Sequence, residues 1–120
     1  MLDDVYLIDP TAAERNQITE ALAGESVTVT TYDSAEAFLA QATEVMSGCV
    51  LVPSDLRGMG VRALIRETFS RHLSLAIVII GRQANLASAV ELARAGATDF
   101  LEQPFSNGQL RSAVRRALGT

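Results

Sequence analysis

The sequence predicts an α/β domain: a doubly wound, five-stranded parallel sheet of order 2-1-3-4-5 with five helices. Three observations carry that prediction. Five short apolar runs alternate along the chain with five segments of helical periodicity. The third and fourth runs, CVLV and LAIVII, are apolar without alternation, as strands covered by helices on both faces must be. A length of 120 residues, 48% of them hydrophobic, suits one compact domain spanning the sequence and leaves no room for a second. Right-handed crossovers allow little besides a parallel sheet for such an alternation, and 2-1-3-4-5 is a common order at this length.

The elements follow in turn. Val5 to Ile8 forms the first strand, ending at Asp9, and Thr11 to Ala23 a helix with Ile18 and Leu22 on its inner side. Val27 to Tyr32 alternates in period two and forms the second strand. Asp33 with Glu36 makes a capping-box-like start for a helix over Ser34 to Met46, in which Phe38 and Leu39 supply core contacts. Cys49 to Val52 is the central third strand; Val61 to about Arg71 is helical, and Leu75 to Ile80 is the most hydrophobic strand. Leu86 to Ala95 forms the fourth helix, closed by Gly96 as a left-handed C-cap. Thr98 to Leu101 is a short fifth strand, and Ser106 with Gln109 caps a last helix that runs to about Leu118.

Composition removes several kinds of function. A net charge of −4 gives no broad positive field, so direct nucleic-acid binding by this domain is not expected. No apolar run reaches transmembrane length, and the MLDDVYLID start is acidic where a signal peptide is basic, which points to a cytoplasmic domain with no membrane contact. All ten basic residues are arginine; the absence of lysine excludes Schiff-base chemistry and the phosphate-binding P-loop. Cys49 and His72 are each alone, so a disulfide and the usual zinc sites are excluded, and Cys49 reads as a buried structural thiol.

In doubly wound folds the site lies beyond the carboxyl ends of the strands, near the switch point between strands one and three. That rule selects Asp9-Pro10, Pro53 to Asp55, Ile80-Gly81 and Gln103-Pro104. The stretches VYLIDPTAAERNQI, YDSAEAFLA, GCVLV, RGMG, VELARAGATDFLEQPF and VRRAL together resemble the receiver domain of two-component response regulators, especially the FixJ-type branch. The resemblance covers essentially the whole chain and implies a flavodoxin-like, CheY-like fold. It also implies a chemistry. A typical receiver takes a phosphoryl group from a histidine kinase onto an aspartate ending strand three. That aspartate and an acidic pair after strand one hold Mg²⁺, while a strand-four hydroxyl and a strand-five lysine bind the phosphoryl oxygens. Mg²⁺ wants hard oxygens at about 2.0–2.1 Å, and a phosphoryl group wants fixed donors and positive charge.

This sequence departs from that pattern at each strand end. Asp9 is followed by Pro10, which has no side-chain oxygen, so Asp9 alone is a weak metal candidate and Mg²⁺ binding is expected to be weak or absent; no other cofactor is expected. Counting forward from Gly48-Cys49 and backward from Gly58-Met59 both place Pro53 at the acceptor position. Ile80 stands for the hydroxyl residue, and Gln103 for the lysine. A degenerate phosphorylation pocket of Asp9, Pro10, Pro53, Ile80 and Gln103 results.

Asp55 is the alternative phosphoacceptor. On an extended chain it lies roughly 6–7 Å past residue 53, at about 3.3 Å per residue, too far to share a metal with Asp9 unless the chain turns sharply at Pro53-Ser54. Ser54 reads as a turn residue. Phe100 occupies the family's switch-aromatic position, with apolar packing expected opposite Ile80. Arg94, Arg111 and Arg115 are candidate interface residues on the fourth and fifth helices. The expected function is a non-enzymatic regulatory module working without phosphorylation, through homodimerisation or an attached, DNA-binding output domain docked on helix four, strand five and helix five. A histidine kinase is a further candidate partner. From a different class, the emptied strand-end pocket is a candidate small-ligand site.

Overall fold

The computed structural model describes residues 3–56, 58–82 and 86–119; Arg57, within the RGMG stretch, lies outside them. All five strands run parallel in the order β2-β1-β3-β4-β5, with β1 at Asp3–Ile8, β2 at Val27–Tyr32, β3 at Ser47–Pro53, β4 at Ser74–Gly81 and β5 at Asp99–Glu102. The helices between them are α1 (Ala12–Ala21), α2 (Ala35–Gln41), α3 (Gly60–Ser70), α4 (Leu86–Ala95) and α5 (Asn107–Leu118). The predicted fold class and strand order are those observed.

Alternate residues of each strand serve opposite faces of the sheet. Val5, Leu7, Cys49, Leu51, Val78 and Ile80 pack with Ile18 of α1 and with Leu110, Ala113 and Val114 of α5. Tyr6, Ile8, Val50, Val52, Ile77 and Ile79 pack with Phe38 of α2 and with Leu64 and Ile65 of α3. Each such aliphatic side chain, taken fully out of water, contributes about 1.5–3 kcal/mol. Both layers converge on β3, which pairs Val5↔Cys49 to Leu7↔Leu51 on one side and Ser47↔Ser74 to Pro53↔Ile80 on the other. A proline can end this central strand because Ser54 N–H, the next donor on the β4 side, reaches the Ile80 carbonyl at 2.8 Å. The donor that Pro53 lacks faces β1 beyond its last paired residue, so no ladder bond is lost.

Helix ends differ from expectation in three places. The second helix was expected to run to Met46 but stops at Gln41: Ala42 is extended, and Met46 N–H donates to the Thr43 carbonyl at 3.0 Å, folding 43–46 into a turn that reaches the start of β3. Its N-cap is Ser34 and not the Asp33 expected to form a capping box with Glu36: the helix starts one residue later, at Ala35, so it is the Ser34 hydroxyl that accepts from Ala37 N–H at 3.0 Å. The first helix is shorter than expected at its C-terminus, but Thr11 and Glu14 form a full capping box, as Ser106 and Gln109 do for α5. No helix among the described residues is long and apolar enough to cross a membrane.

Helix α3 ends in a Schellman motif, with Leu73 N–H on the Thr68 carbonyl at 2.9 Å and His72 N–H on the Phe69 carbonyl at 3.0 Å. His72 takes the left-handed position at φ 56°, where a side chain crowds its own backbone. His72→Gly is therefore expected to raise the unfolding free energy by about 1 kcal/mol, read as a higher urea midpoint at unchanged slope.

Candidate functional site

The four strand ends selected from sequence meet at one edge of the sheet. Asp9 leaves β1 with φ 48°, its N–H donating to the Tyr32 carbonyl at 2.8 Å, and Pro10 follows. Pro53 and Ile80 are register partners at the ends of β3 and β4. Pro10, Glu14, Pro53 and Ile80, with the apolar ends of β1 and β3, surround a cavity of only about 10 Å³. That is space for about one water and no more. The space among Pro10, Pro53 and Ile80 is filled by the chain's own side chains, while beside it Gln103 lines an open cleft of about 580 Å³ with Gln17, Arg82, Pro104 and Phe105.

Glu14, which the sequence reading passed over, closes the edge. One carboxylate oxygen accepts from Thr11 N–H at 3.0 Å, completing the α1 capping box, and the other accepts from Gln103 Nε2 at 2.6 Å. A carboxylate accepts only, so the glutamine presents its amide nitrogen. Gln103 is held from behind by its own N–H on the Gly81 carbonyl at 2.7 Å, and the Gln103–Pro104 peptide that follows is cis. One turn along α1, Gln17 Nε2 donates to the Phe105 carbonyl at 3.2 Å. The signal for Glu14 was the Thr11-x-x-Glu14 spacing, which marks a capping box; its reach to residue 103 has no local signature.

Asp55 stands apart from this cluster. Leu56 N–H donates to the Pro53 carbonyl at 3.2 Å, so the chain turns sharply with Ser54 and Asp55 at the corners. Leu56 is buried and anchors the turn, while Asp55 is exposed. Ser54 is exposed, with its hydroxyl lying over Gly81: a Cβ built there would lie 2.7 Å from Ser54 Oγ and 2.9 Å from Cζ of Phe100. Ser54 Oγ and the half-buried Phe100 thus both lie against Gly81, and Phe100 packs on the Ile77 and Ile79 side of the sheet rather than opposite Ile80 as expected, because neighbouring residues of a strand face opposite ways. Among the described residues, no three His, Cys, Asp or Glu side chains come together as a metal-holding group.

The arginines divide between two faces. Arg94 is exposed on α4. Arg111 and Arg115, expected to join it, turn the other way: Arg111 Nη1 donates to the Ala21 carbonyl at 3.4 Å, and Arg115 pairs with Glu25 at 2.7 Å. Their i,i+4 spacing gives them a shared face, and α5 sits against α1, so that face meets the end of α1. Arg116 is the α5 arginine on the β5 side, donating to Asp99 Oδ2 at 2.8 Å. Cys49 is fully buried against α1 and α5, and burial, with Asp99 adding a smaller push, raises its thiol to about 12.

The response regulator receiver domain family matches residues 5–115. The transcriptional regulatory protein FixJ of Azorhizobium caulinodans is 31% identical over 115 residues, which are 96% of this chain and 54% of that protein. The tetrathionate response regulatory protein TtrR of Salmonella typhimurium is 33% identical over 119 residues, 95% of this chain and 55% of that one. The chain thus spans about half the length of these relatives. Among solved structures, full-length FixJ from B. japonicum superposes with a TM-score of 0.87 at 29% identity, covering 98% of this chain and 58% of that one. A signal receiver domain from Vibrio parahaemolyticus gives 0.90 at 16% identity, covering 99% and 92%, and shows the shared fold alone.

Two outcomes follow from the site geometry. Glu14→Ala removes an acceptor from both Thr11 and Gln103 and is expected to cost about 1–2 kcal/mol in chemical denaturation, with Glu14→Gln costing less. For Cys49, the folded thiol titrates above its ordinary value of 9.0, so the unfolded chain loses its proton first. Its contribution is fully present below pH 9 and falls by up to about 1.4 kcal/mol per pH unit as pH rises toward 12, a slope that Cys49→Ala should remove.

Proposed function

Since this chain belongs to the response regulator receiver domain family, a family of signal-transduction modules, we propose that it is an atypical, non-enzymatic receiver that signals without aspartyl phosphorylation. The observation that carries this reading is the Glu14–Gln103 bond at 2.6 Å across an edge where Pro10, Pro53 and Ile80 leave about 10 Å³ of space. A phosphoryl group needs a carboxylate to carry it, a cation and a hydroxyl to hold its oxygens, and Mg²⁺ to balance its charge. At the matching positions stand a proline, a neutral glutamine already engaged with a carboxylate, and an isoleucine. Of the acidic cradle only Asp9 is present, so Mg²⁺ binding is weak or absent in this reading.

The regulatory work is then association. The surface of α4, β5 and α5 carries Arg94 and the Arg116–Asp99 pair, and it is the face we assign to a homodimer or to an attached output domain in the cytoplasm. FixJ is named as a transcriptional regulatory protein, and both it and TtrR are about twice as long, which supports a DNA-binding output segment rather than nucleic-acid contact by this acidic domain. A small ligand among Pro10, Pro53 and Ile80 is disfavoured by the volume there. Phosphorylation of Asp55 by a kinase or phosphodonor is the second reading, favoured by one observation: the side chain is exposed on its turn.

Incubation with acetyl phosphate and Mg²⁺, followed by intact-mass measurement, separates the two. The mass is expected to stay unchanged in the wild type and in Asp55→Asn. Gain of one phosphoryl group, lost in Asp55→Asn, would overturn the phosphorylation-independent reading in favour of Asp55.

A further inference from the structure

We propose that copies of this chain associate head to tail, the turn between α2 and β3 of one copy seating its Glu44–Val45 tip in the groove between α3 and α4 of the next. The tip is shaped to protrude. The hydrogen bond from Met46 N–H to the Thr43 carbonyl places Glu44 and Val45 at the two corners of the turn, while Ala42 and Met46 pack against the core and anchor it from both sides. Val45 is left 91% exposed. Glu44 beside it has no cationic partner among the described residues.

The groove offers the complement. It has a volume of about 270 Å³, walled by Arg62, Arg66 and Phe69 of α3 and by Ala95 of α4. The three α3 residues fall at i, i+4 and i+7, one stripe beside the buried stripe of Val61, Leu64, Ile65 and Thr68. Phe69 is 63% exposed, yet its ring is held in place: a Cβ on Gly96 would fall 2.1 Å from its Cε2, so the ring lies on bare backbone. A ring fixed before contact loses little freedom when covered. Arg62 is paired with Glu91, whereas Arg66 has no acidic partner among the described residues.

The tip therefore carries a carboxylate with no ion-pair partner among the described residues next to an exposed aliphatic side chain, and the groove a guanidinium likewise without one, one turn from an exposed ring. That both halves occur in one chain selects a second copy over a foreign segment. Because the two surfaces differ, the contact is heterologous, and every added copy still shows one free tip and one free groove. Growth past the dimer is the signature. A symmetric dimer through α4, β5 and α5 stops at two, so this proposal stands or falls separately from the function proposed above.

Sedimentation velocity of the wild-type chain from micromolar to millimolar concentration tests it. Species larger than a dimer are expected, increasing with concentration and diminished by salt as the Glu44–Arg66 attraction is screened. Val45→Ala and Phe69→Ala should each weaken this growth about tenfold or more. Glu44→Arg and Arg66→Glu should each abolish it, and the two together in one chain should restore it, a rescue that a merely misfolded variant cannot give. Absence of species beyond a dimer in the wild type, growth that persists in Val45→Ala and Phe69→Ala, or a double swap that fails to restore growth overturns the proposal.

Discussion

A strand buried on both faces with neighbours on both edges can carry only side chains that need no water, and β3 lives under that constraint along Cys49 to Val52. The rest of the domain is arranged around it. Its two neighbours fix its register, helices cover it from both sides, and its last residue is delivered to the one edge where polar groups from β1, β3, β4 and β5 meet water again. Pro53 at that point continues the apolar character of the strand one residue further than a reactive side chain would allow. Proline is tolerated there for a local reason, since the ladder to β4 resumes through Ser54.

What stands at this edge is closure by the chain itself. Apolar contacts among Pro10, Pro53 and Ile80 take up the space, and a single carboxylate-to-amide hydrogen bond supplies the polar part. Glu14 does two things at once: it caps α1 and ties that helix to the end of β5. Gln17–Phe105, Arg111–Ala21 and Arg115–Glu25 add further ties between the same side of α1, or the turn after it, and the segment running from β5 into α5. The α1 and α5 face is thus laced by polar contacts along its length. The opposite face has ties of its own, from Arg71 to the Leu39 carbonyl and from Arg62 to Glu91, yet leaves Phe69 and Val45 exposed.

Much of this was legible before any coordinates. Parallel sheet, strand order and the identity of the strand-end residues follow from apolar runs and from two anchors that converge on Pro53, because those signals are short-range or simple counts. The end of α2 was not legible: Ala42 to Met46 contains no glycine or proline, and what stops the helix is the need to reach the start of β3. Glu14–Gln103 was missed since its partners are 89 residues apart and only the fold brings them together. For Arg111 and Arg115, spacing gave a shared face but could not say that it meets α1 rather than α4. Asp55 shows the same limit in reverse: the chain does turn sharply after Pro53, and the turn leaves the carboxylate exposed.

The central claim is that the strand-end site is occupied by Glu14 and Gln103 and has no place for a phosphoryl group or its metal. The side-chain amide of Gln103 reports on this most directly, through its ¹⁵N NMR resonance during titration with Mg²⁺ and beryllofluoride. The account predicts a resonance that exchanges slowly with water, stays fixed throughout the titration, and shifts in Glu14→Ala. A saturable shift of that resonance in the wild-type chain, accompanied by shifts at Asp9 and Ser54, would contradict it.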